Sequence, residues 1–264
     1  VNIERLAIYA GEGNDHIWIL GAPHGLEVEV VGGLGSDTIH LGGAPDPIEV
    51  IQVDADGNPV LDGNGDPVTE MVTFTPVYQL TAIDSFIKII GGVGDGVPPL
   101  QAGLGLPGEN TGPLPDIGNV NLLVDEDLTV DRLWVRNEGS TVPNTGTLTS
   151  TRLSGLGMTA NGGGVGYVDY AELDEFVINL GSAGDTFVIE STGTGRTVVD
   201  GGGGDDTFDV RSISGHVIIL GGAGDDTFNV GSTTDTAGVL TNLDAHLTLD
   251  GGAGTDVVDV NHQG

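Results

Sequence analysis

The 264-residue chain contains no cysteine, so disulfide bonds cannot hold it together. Aromatic residues make up only 5 % of the sequence and 47 residues are glycine, so few large side chains can fill a thick core. The apolar residues come mainly as short groups of Val, Ile and Leu, which suit thin β layers better than a helix bundle. No apolar run is long enough to cross a bilayer and no signal peptide is present, so membrane insertion is not expected.

Basic residues are scarce: 7 Lys and Arg stand against 39 Asp and Glu, a formal net charge of −32 at pH 7. Such a surface repels nucleic acid and anionic membranes, which argues against both as partners. Acidity can also serve solubility or growth in high salt, but many of these acids recur at one fixed place in a glycine motif. That recurrence favours cation binding, and a metal can supply the cross-link that cysteine does not.

Six segments share a glycine-rich turn, an Asp, one further residue and a large apolar residue. They are Ala10–Trp18, Gly32–His40, Leu180–Val188, Gly201–Asp209, Gly221–Asn229 and Gly251–Asp259, and their aspartates are Asp15, Asp37, Asp185, Asp206, Asp226 and Asp256. A seventh copy, at 91–97, is degenerate. Successive aspartates are 22 residues apart in the first pair and 21, 20 and 30 apart in the last four, and we expect the longest gap to contain an extruded loop at 232–243. A period near 20 residues predicts an all-β, parallel β-solenoid or β-roll, each coil being strand, turn, strand, turn.

These turns resemble the calcium-binding nonapeptide of repeats-in-toxin proteins, Gly-Gly-x-Gly-x-Asp-x-apolar-x. The resemblance implies Ca²⁺ between turns of neighbouring coils, bound by the six aspartates and by turn carbonyls, with Asp205 and Asp225 adding carboxylates or carbonyls. The glycines implied in turn carbonyls or turn geometry are Gly11, Gly13, Gly33, Gly35, Gly202, Gly204, Gly222, Gly224, Gly252 and Gly254. The apolar residues implied to point inward are Ile17, Ile39, Phe187, Phe208, Phe228 and Val258. Each coil has one such turn where toxin repeats have two, so we expect one calcium-bearing edge.

Calcium suits these turns because it takes six to eight oxygen ligands, and glycine lets backbone carbonyls converge. Carboxylates stacked about 4.8 Å apart, one coil from the next, repel by about 1 kcal/mol per pair in water and by more at lower dielectric. We therefore expect a calcium-dependent fold. The alternative is that these are plain turns, since Gly and Asp are common turn formers, but six copies with the same apolar position disfavour it.

A second resemblance covers more of the chain. Thr147–Met158 and Tyr170–Gly181, with the repeats that follow, resemble a module that recurs in very large bacterial surface and matrix proteins. Val1–Gly11 parallels Asp169–Gly181, and Leu247–Gly264 resembles Asn121–Gly139. This implies one full module with parts of its neighbours, or one unit of an array, so we expect a processed product or a piece of something longer.

The middle of the chain lacks the repeat. Val53–Val60 and Leu61–Val68 are two similar turns, which we interpret as hairpin insertions, while Asp54 and Asp56, at the start of an incomplete EF-hand-like loop, are a lesser calcium possibility. Residues 91–119 are rich in Gly and Pro and are interpreted as a loop or linker. The predicted division is an N-terminal β region at 1–90 with two calcium-type turns, the linker at 91–119, and a C-terminal β-solenoid at 120–264 with four.

No enzyme signature is present in the sequence: the six His residues lack zinc spacing, and no nucleophile or nucleotide motif occurs. A β-helix can carry a polysaccharide lyase or hydrolase, and Asp205 with Asp206 could form an acid pair. Lyases usually need a Lys or Arg base, however, and Lys88 is the only lysine. We therefore expect no catalysis.

The expected function is that of a calcium-stabilised structural protein outside the cell, in a surface, matrix or filament assembly. Uncapped coils expose unpaired strand edges, so end-to-end self-association is expected. One alternative is an adhesin module that binds cell-surface glycans or a receptor through loops such as 91–119. Another is a calcium-triggered secretion and folding segment of a larger toxin or enzyme.

Overall fold

The computed structural model describes residues 3–43, 48–53, 58–73, 77–92, 129–160, 163–231 and 240–261. These residues form β-strands and one short 3-10 helix, Leu80–Ala82, and none of them lies in an α-helix. The expectation of an all-β chain is therefore confirmed. Residues 232–239 of the predicted loop at 232–243 lie outside the described residues, and so do residues 93–119 of the predicted linker.

Two large sheets and one hairpin make up the fold. The ten-stranded long sheet has the spatial order β1 (Arg5–Glu12), β3 (Glu27–Leu34), β7 (Phe86–Ile90), β11 (Gly164–Ala171), β10 (Arg152–Ala160), β9 (Thr145–Leu148), β13 (Thr186–Ile189), β15 (Thr207–Val210), β17 (Thr227–Val230) and β19 (Val257–Val260). The seven-stranded short sheet has the order β18 (Leu247–Ala253), β16 (Val217–Ala223), β14 (Arg196–Asp200), β12 (Glu175–Asn179), β8 (Arg132–Arg136), β4 (Thr38–Leu41) and β2 (His16–Ile19). The hairpin joins β5 (Ile48–Ile51) to β6 (Thr69–Val72).

The chain passes back and forth between the two large sheets, and their strands run mainly parallel. All pairings within the short sheet are parallel. The long sheet is parallel except at β10, which runs antiparallel to both β9 and β11. This reversed strand was not predicted from the sequence. It contains a bulge between Ser154 and Thr159, where Leu156 has a φ of 53°.

Both large sheets include strands from either side of the Gly/Pro-rich segment. In the long sheet β7 pairs with β11, for example Ile89 with Tyr170. In the short sheet β4 pairs with β8, for example Ile39 with Leu133. Strands from the predicted N-terminal and C-terminal regions thus share the same sheets.

The core lies between the two sheets and takes alternate residues from each strand, as expected for strands with one face buried. Phe187, Phe208 and Phe228 are at most 1 % exposed, and the last two rings stack with centroids 5.2 Å apart. Ile39 is equally buried, so these four inward positions were predicted correctly. Val258 is 52 % exposed because β19 is the outermost described strand of its sheet and has a neighbour on one side only.

The predicted hairpin region at 53–68 contains irregular antiparallel contacts. Isolated bridges join Val53 to Pro59 and Leu61 to Pro67. The Asp62 carboxylate accepts hydrogen bonds from the backbone N–H groups of Asn64 and Asp66, which lowers the pKa of Asp62. Asp54 and Asp56 lie outside the described residues.

Candidate functional site

The glycine–Asp turns lie on two edges of the sheet pair. At Ala10–Asp15 and Gly32–Asp37 the chain passes from the long sheet to the short sheet, at what we call the first edge. At the other four turns it passes from the short sheet to the long sheet, at the second edge. The expectation of one edge is therefore wrong. The two kinds of connection look alike in sequence because each joins two short strands of similar composition.

At the second edge, the aspartates form a continuous series of side-chain to backbone hydrogen bonds, the second-edge ladder. Its members are Asn144, Asp185, Asp206, Asp226 and Asp256. In each step the Oδ1 atom of one member accepts the backbone N–H of the member before it, with N–O distances of 2.7, 2.6, 2.9 and 3.0 Å in chain order. The motif Asp thus holds its turn against the neighbouring turn. A hydrogen bond to a charged acceptor contributes about 1.5–3 kcal/mol.

A matching first-edge ladder consists of Asp15, Asp37, Asp131 and Asp174. The backbone N–H groups of the first three donate to the carboxylates of the next members, each over 2.9 Å. Asp131 and Asp174 were missed because no complete glycine turn directly precedes either of them in the sequence. Each is nevertheless followed two residues later by a buried apolar side chain, Leu133 or Phe176, so the Asp-x-apolar part of the motif was the available signal.

The preceding residue of the turn forms a second, more exposed row with the opposite direction. The backbone N–H of Asp225 donates to Asp205 Oδ1 over 2.9 Å, and that of Thr255 donates to Asp225 Oδ1 over 2.8 Å. The predicted carboxylates of Asp205 and Asp225 therefore line the same turns as the second-edge ladder. Through these contacts they hold neighbouring turns together as well.

The second carboxylate oxygen of several ladder members is buried and lacks a hydrogen-bond partner among the described residues. This applies to Oδ2 of Asp15, Asp206 and Asp226. Burial raises the pKa of Asp206 to about 7; the N–H of Asp185 opposes this rise, and the neighbouring carboxylates add to it. The pKa of Asp226 is raised for the same reasons. Ionisation of these second-edge carboxylates is therefore unfavourable unless a cation lies beside them.

All ten glycines singled out in the sequence have positive φ, between 84° and 146°. Gly222 shows why the position excludes larger residues: its φ is 102° and a Cβ would collide with the carbonyl oxygen of Gly202 in the neighbouring turn. A Cβ on Gly201 would likewise collide with Asp206 Oδ2. The turns therefore stack backbone on backbone.

The atoms available as metal ligands suit a hard cation, since the buried Oδ2 atoms and the turn carbonyls all offer oxygen. Some carbonyls already accept hydrogen bonds from neighbouring turns, as Gly202 does from Ala223 N–H over 3.1 Å. The described residues contain no group of three or more His, Cys, Asp or Glu side chains able to hold a metal. A bound ion would therefore take most of its ligands from carbonyl oxygens, which retain a second lone pair.

Basic side chains are committed to ion pairs. All seven Lys and Arg residues contact a carboxylate. Six of these pairs join neighbouring strands or turns, as when Glu175 contacts both Arg132 and Arg196. Lys88 Nζ lies 3.0 Å from Glu29 Oε1. The positive charge on the sheet faces is therefore used to neutralise acids next to it.

An aromatic row occupies the outer face of the short sheet near β2. Trp18 and His40 stack with centroids 4.7 Å apart, and Trp134 meets His40 edge-on at 5.6 Å. Burial, together with the nearby charges of His16, Arg136 and Arg132, lowers the pKa of His40 to about 4. This row was not predicted from the sequence.

No helix in the described parts of the chain has the length and apolar character needed to span a membrane. No family model, no curated protein and no solved structure matches this chain.

Proposed function

We propose that the chain is a calcium-stabilised structural β-solenoid of an extracellular surface, matrix or filament assembly, without catalytic activity. The observation that carries the proposal is the pair of ladders, in which aspartates at a fixed motif position bind each turn to the next. Hydrogen bonds repeated in this way from turn to turn stabilise an elongated, regular structure.

Calcium is proposed at the second edge because buried, closely spaced carboxylates there would ionise more easily beside a cation. Asp206 and Asp226 are at most 1 % exposed, and each keeps one buried oxygen without a hydrogen-bond partner among the described residues. A divalent cation between neighbouring turns would convert the repulsion between these carboxylates into attraction. Backbone carbonyls of the glycine turns would complete its ligands.

Self-association is proposed because the outermost described strands present apolar side chains and unpaired backbone. Val257, Val258 and Val260 of β19 are 52–56 % exposed, and Leu6 of β1 is 43 % exposed. Pairing runs parallel along the motif strands, so β19 and β18 of one copy match β1 and β2 of a second copy in direction. A second copy stacked end to end would bury both apolar edges.

The calcium proposal is tested by thermal unfolding, followed by circular dichroism, with and without a chelator. Calcium should raise the Tm of the unaltered protein. Asp206→Asn should lose part of that rise, because the amide carries no charge. In chelator it should unfold no more easily than the unaltered protein, because the amide oxygen can still accept the Asp185 N–H. Asp206→Ala removes the acceptor of this hydrogen bond and should lower the free energy of unfolding by about 1.5–3 kcal/mol both with and without the chelator.

Asp209→Asn is the matched control, since Asp209 lies on the outer face of β15 and bonds to Asn229. It should keep the full calcium response. A Tm that is the same in calcium and chelator, or an Asp206→Asn response equal to that of the unaltered protein, would refute calcium at this edge. The hydrogen-bonded ladder would stand in that case.

End-to-end association is tested by sedimentation velocity and negative-stain electron microscopy in calcium buffer. Filaments or short linear oligomers are expected, and Val258→Glu should abolish them. Val142→Glu, at a site that is 58 % exposed in a turn of the second edge, should leave them intact. Monomers at every concentration would contradict the association.

A further inference from the structure

A groove lies on the outer face of the long sheet, where the reversed strand β10 is inserted. We define it by Phe86, Lys88, Arg152, Ser154, Tyr167 and Asp169, which project from β7, β10 and β11. Three adjoining depressions form it, with volumes of about 420, 540 and 560 Å³. The first two share Lys88 and Asp169, and the third joins them through Arg152 and Tyr167. Each volume lies within the range of ligand sites, and all three depressions are open to solvent.

Two aromatic rings form the centre of this groove without contributing to the core. Phe86 and Tyr167 lie opposite each other on β7 and β11, with ring centroids 4.7 Å apart and planes tilted by 33°. Both are partly exposed, whereas the three phenylalanines Phe187, Phe208 and Phe228 are fully buried. Partly exposed rings offer an apolar surface, and Tyr167 adds a hydroxyl group beside it.

The charged groups of the groove neutralise one another. Arg152 binds Asp169 through two nitrogens, at 2.5 and 2.9 Å, and its guanidinium lies 3.7 Å from the centre of the Tyr167 ring. Lys88 is held by Glu29 at 3.0 Å. Glu4 and Glu27 line the outer end. No uncompensated cation among these groups awaits an anionic ligand, and the acids at the outer end repel one.

The groove also has hydroxyl groups and length. Thr145, Thr147 and Ser154 line the third depression, and Thr149 and Thr151 line the second. The groove crosses β7, β11, β10 and β9, a distance of roughly 14 Å at the usual strand spacing. That length exceeds a single sugar ring and matches a short run of linked rings.

We propose that this groove binds a neutral oligosaccharide. Sugar rings place their C–H faces on the exposed parts of the Phe86 and Tyr167 rings that the Arg152 guanidinium leaves open, while their hydroxyl groups bond to the fixed Arg152–Asp169 pair and to the Thr and Ser side chains. Fixed polar groups favour such a ligand because they need little reorganisation on binding. This role goes beyond the structural function proposed above and does not depend on calcium at the turns.

The test is isothermal titration calorimetry of the intact chain with cellohexaose, laminarihexaose and mannohexaose. Polygalacturonate and alginate oligosaccharides of similar length serve as anionic counterparts. At least one neutral sugar should bind with a Kd in the micromolar to millimolar range, and the anionic sugars should bind at least tenfold more weakly. Tyr167→Ala and Arg152→Gln should each weaken the neutral sugar at least tenfold.

Tyr9→Ala is the matched control, because Tyr9 is an exposed tyrosine on β1 of the same sheet, away from the groove. It should bind as the unaltered protein does. Circular dichroism of each variant separates loss of the site from loss of the fold, and titrations in calcium and in chelator separate this proposal from the calcium proposal. Absence of neutral-sugar binding, tighter binding of the anionic sugars, or full binding by a folded Tyr167→Ala variant would overturn it.

Discussion

The two edges of the molecule achieve the same coupling between turns in different ways. At the second edge, ladder members Asp185, Asp206, Asp226 and Asp256 each follow a glycine turn, and successive turns stack closely. At the first edge the turns before Asp15 and Asp37 also stack closely, but the ladder continues through Asp131 and Asp174, which no complete glycine turn directly precedes. The hydrogen bond from backbone to Asp therefore needs only the Asp at the start of a strand. The glycines serve the close stacking of the turns, and with it the proposed cation.

The largest expected effect concerns the aromatic part of the core, formed by Phe187, Phe208 and Phe228. Phe208→Ala should lower the free energy of unfolding by about 3–5 kcal/mol, because it removes a fully buried ring that stacks on Phe228. Ile39→Ala, in the aliphatic part of the core, should lower the free energy of unfolding by about 2–5 kcal/mol. Urea unfolding measures both, and a loss below about 1 kcal/mol for Phe208→Ala would contradict the packing described.

The next effect isolates turn stacking from backbone conformation. Gly222→Ala and Gly11→Ala place Cβ at nearly the same φ, 102° and 105°, but only the first would collide with a neighbouring carbonyl. Gly11→Ala should lower the free energy of unfolding by about 1–2 kcal/mol, because alanine disfavours the left-handed conformation. Gly222→Ala should lower it further, because its Cβ also collides with the neighbouring turn. Gly203→Ala, whose Cβ would lie 3.6 Å from Ala223 O, is the control with little expected change. Equal losses at Gly11 and Gly222 would show that the turns are less closely stacked.

A third prediction concerns the pH dependence of stability at the aromatic row that contains His40. His40 is 9 % exposed and its pKa is lowered to about 4, so the unfolded chain binds a proton below about pH 6.5 that the folded chain does not. Stability from the neutral ring is therefore present above about pH 6.5 and is lost as the pH falls toward about 4. His40→Phe keeps a ring beside Trp18 and should reduce this acid-dependent loss in urea unfolding. An unchanged pH profile would contradict the burial of His40.

The smallest expected effect tests whether glycine turns are needed for the cation. Asp131→Asn keeps an oxygen that can accept the Asp37 N–H, and no complete glycine turn directly precedes it, so the calcium-dependent rise in Tm should be unchanged. Asp206→Asn in the same assay should reduce that rise. If Asp131→Asn reduces it equally, the cation site belongs to the ladder and not to the glycine turns.

Much of the core and the positions of the four second-edge aspartates could be predicted, because a regular period places the same residue types at the same positions; the hydrogen bonds between their turns and the ladder member Asn144 were not predicted. Phe187, Phe208 and Phe228 follow directly from the motif. The change of edge could not be predicted, since both connections join similar short strands. The direction of β10 escaped prediction for a related reason: alternating apolar residues such as Leu153 fit a parallel and an antiparallel neighbour equally well. Asp131 and Asp174 were hidden because glycine, the stronger signal, is absent before them.

The pairing of every Lys and Arg with an adjacent carboxylate has a consequence for crowded solutions. Two copies that lie side by side present net negative faces to each other and repel, which opposes their lateral association. The apolar outermost strands carry no comparable barrier. Growth in length is thereby favoured over growth in thickness, and added salt, by shortening the range of the repulsion, should be the condition under which thin particles begin to associate laterally.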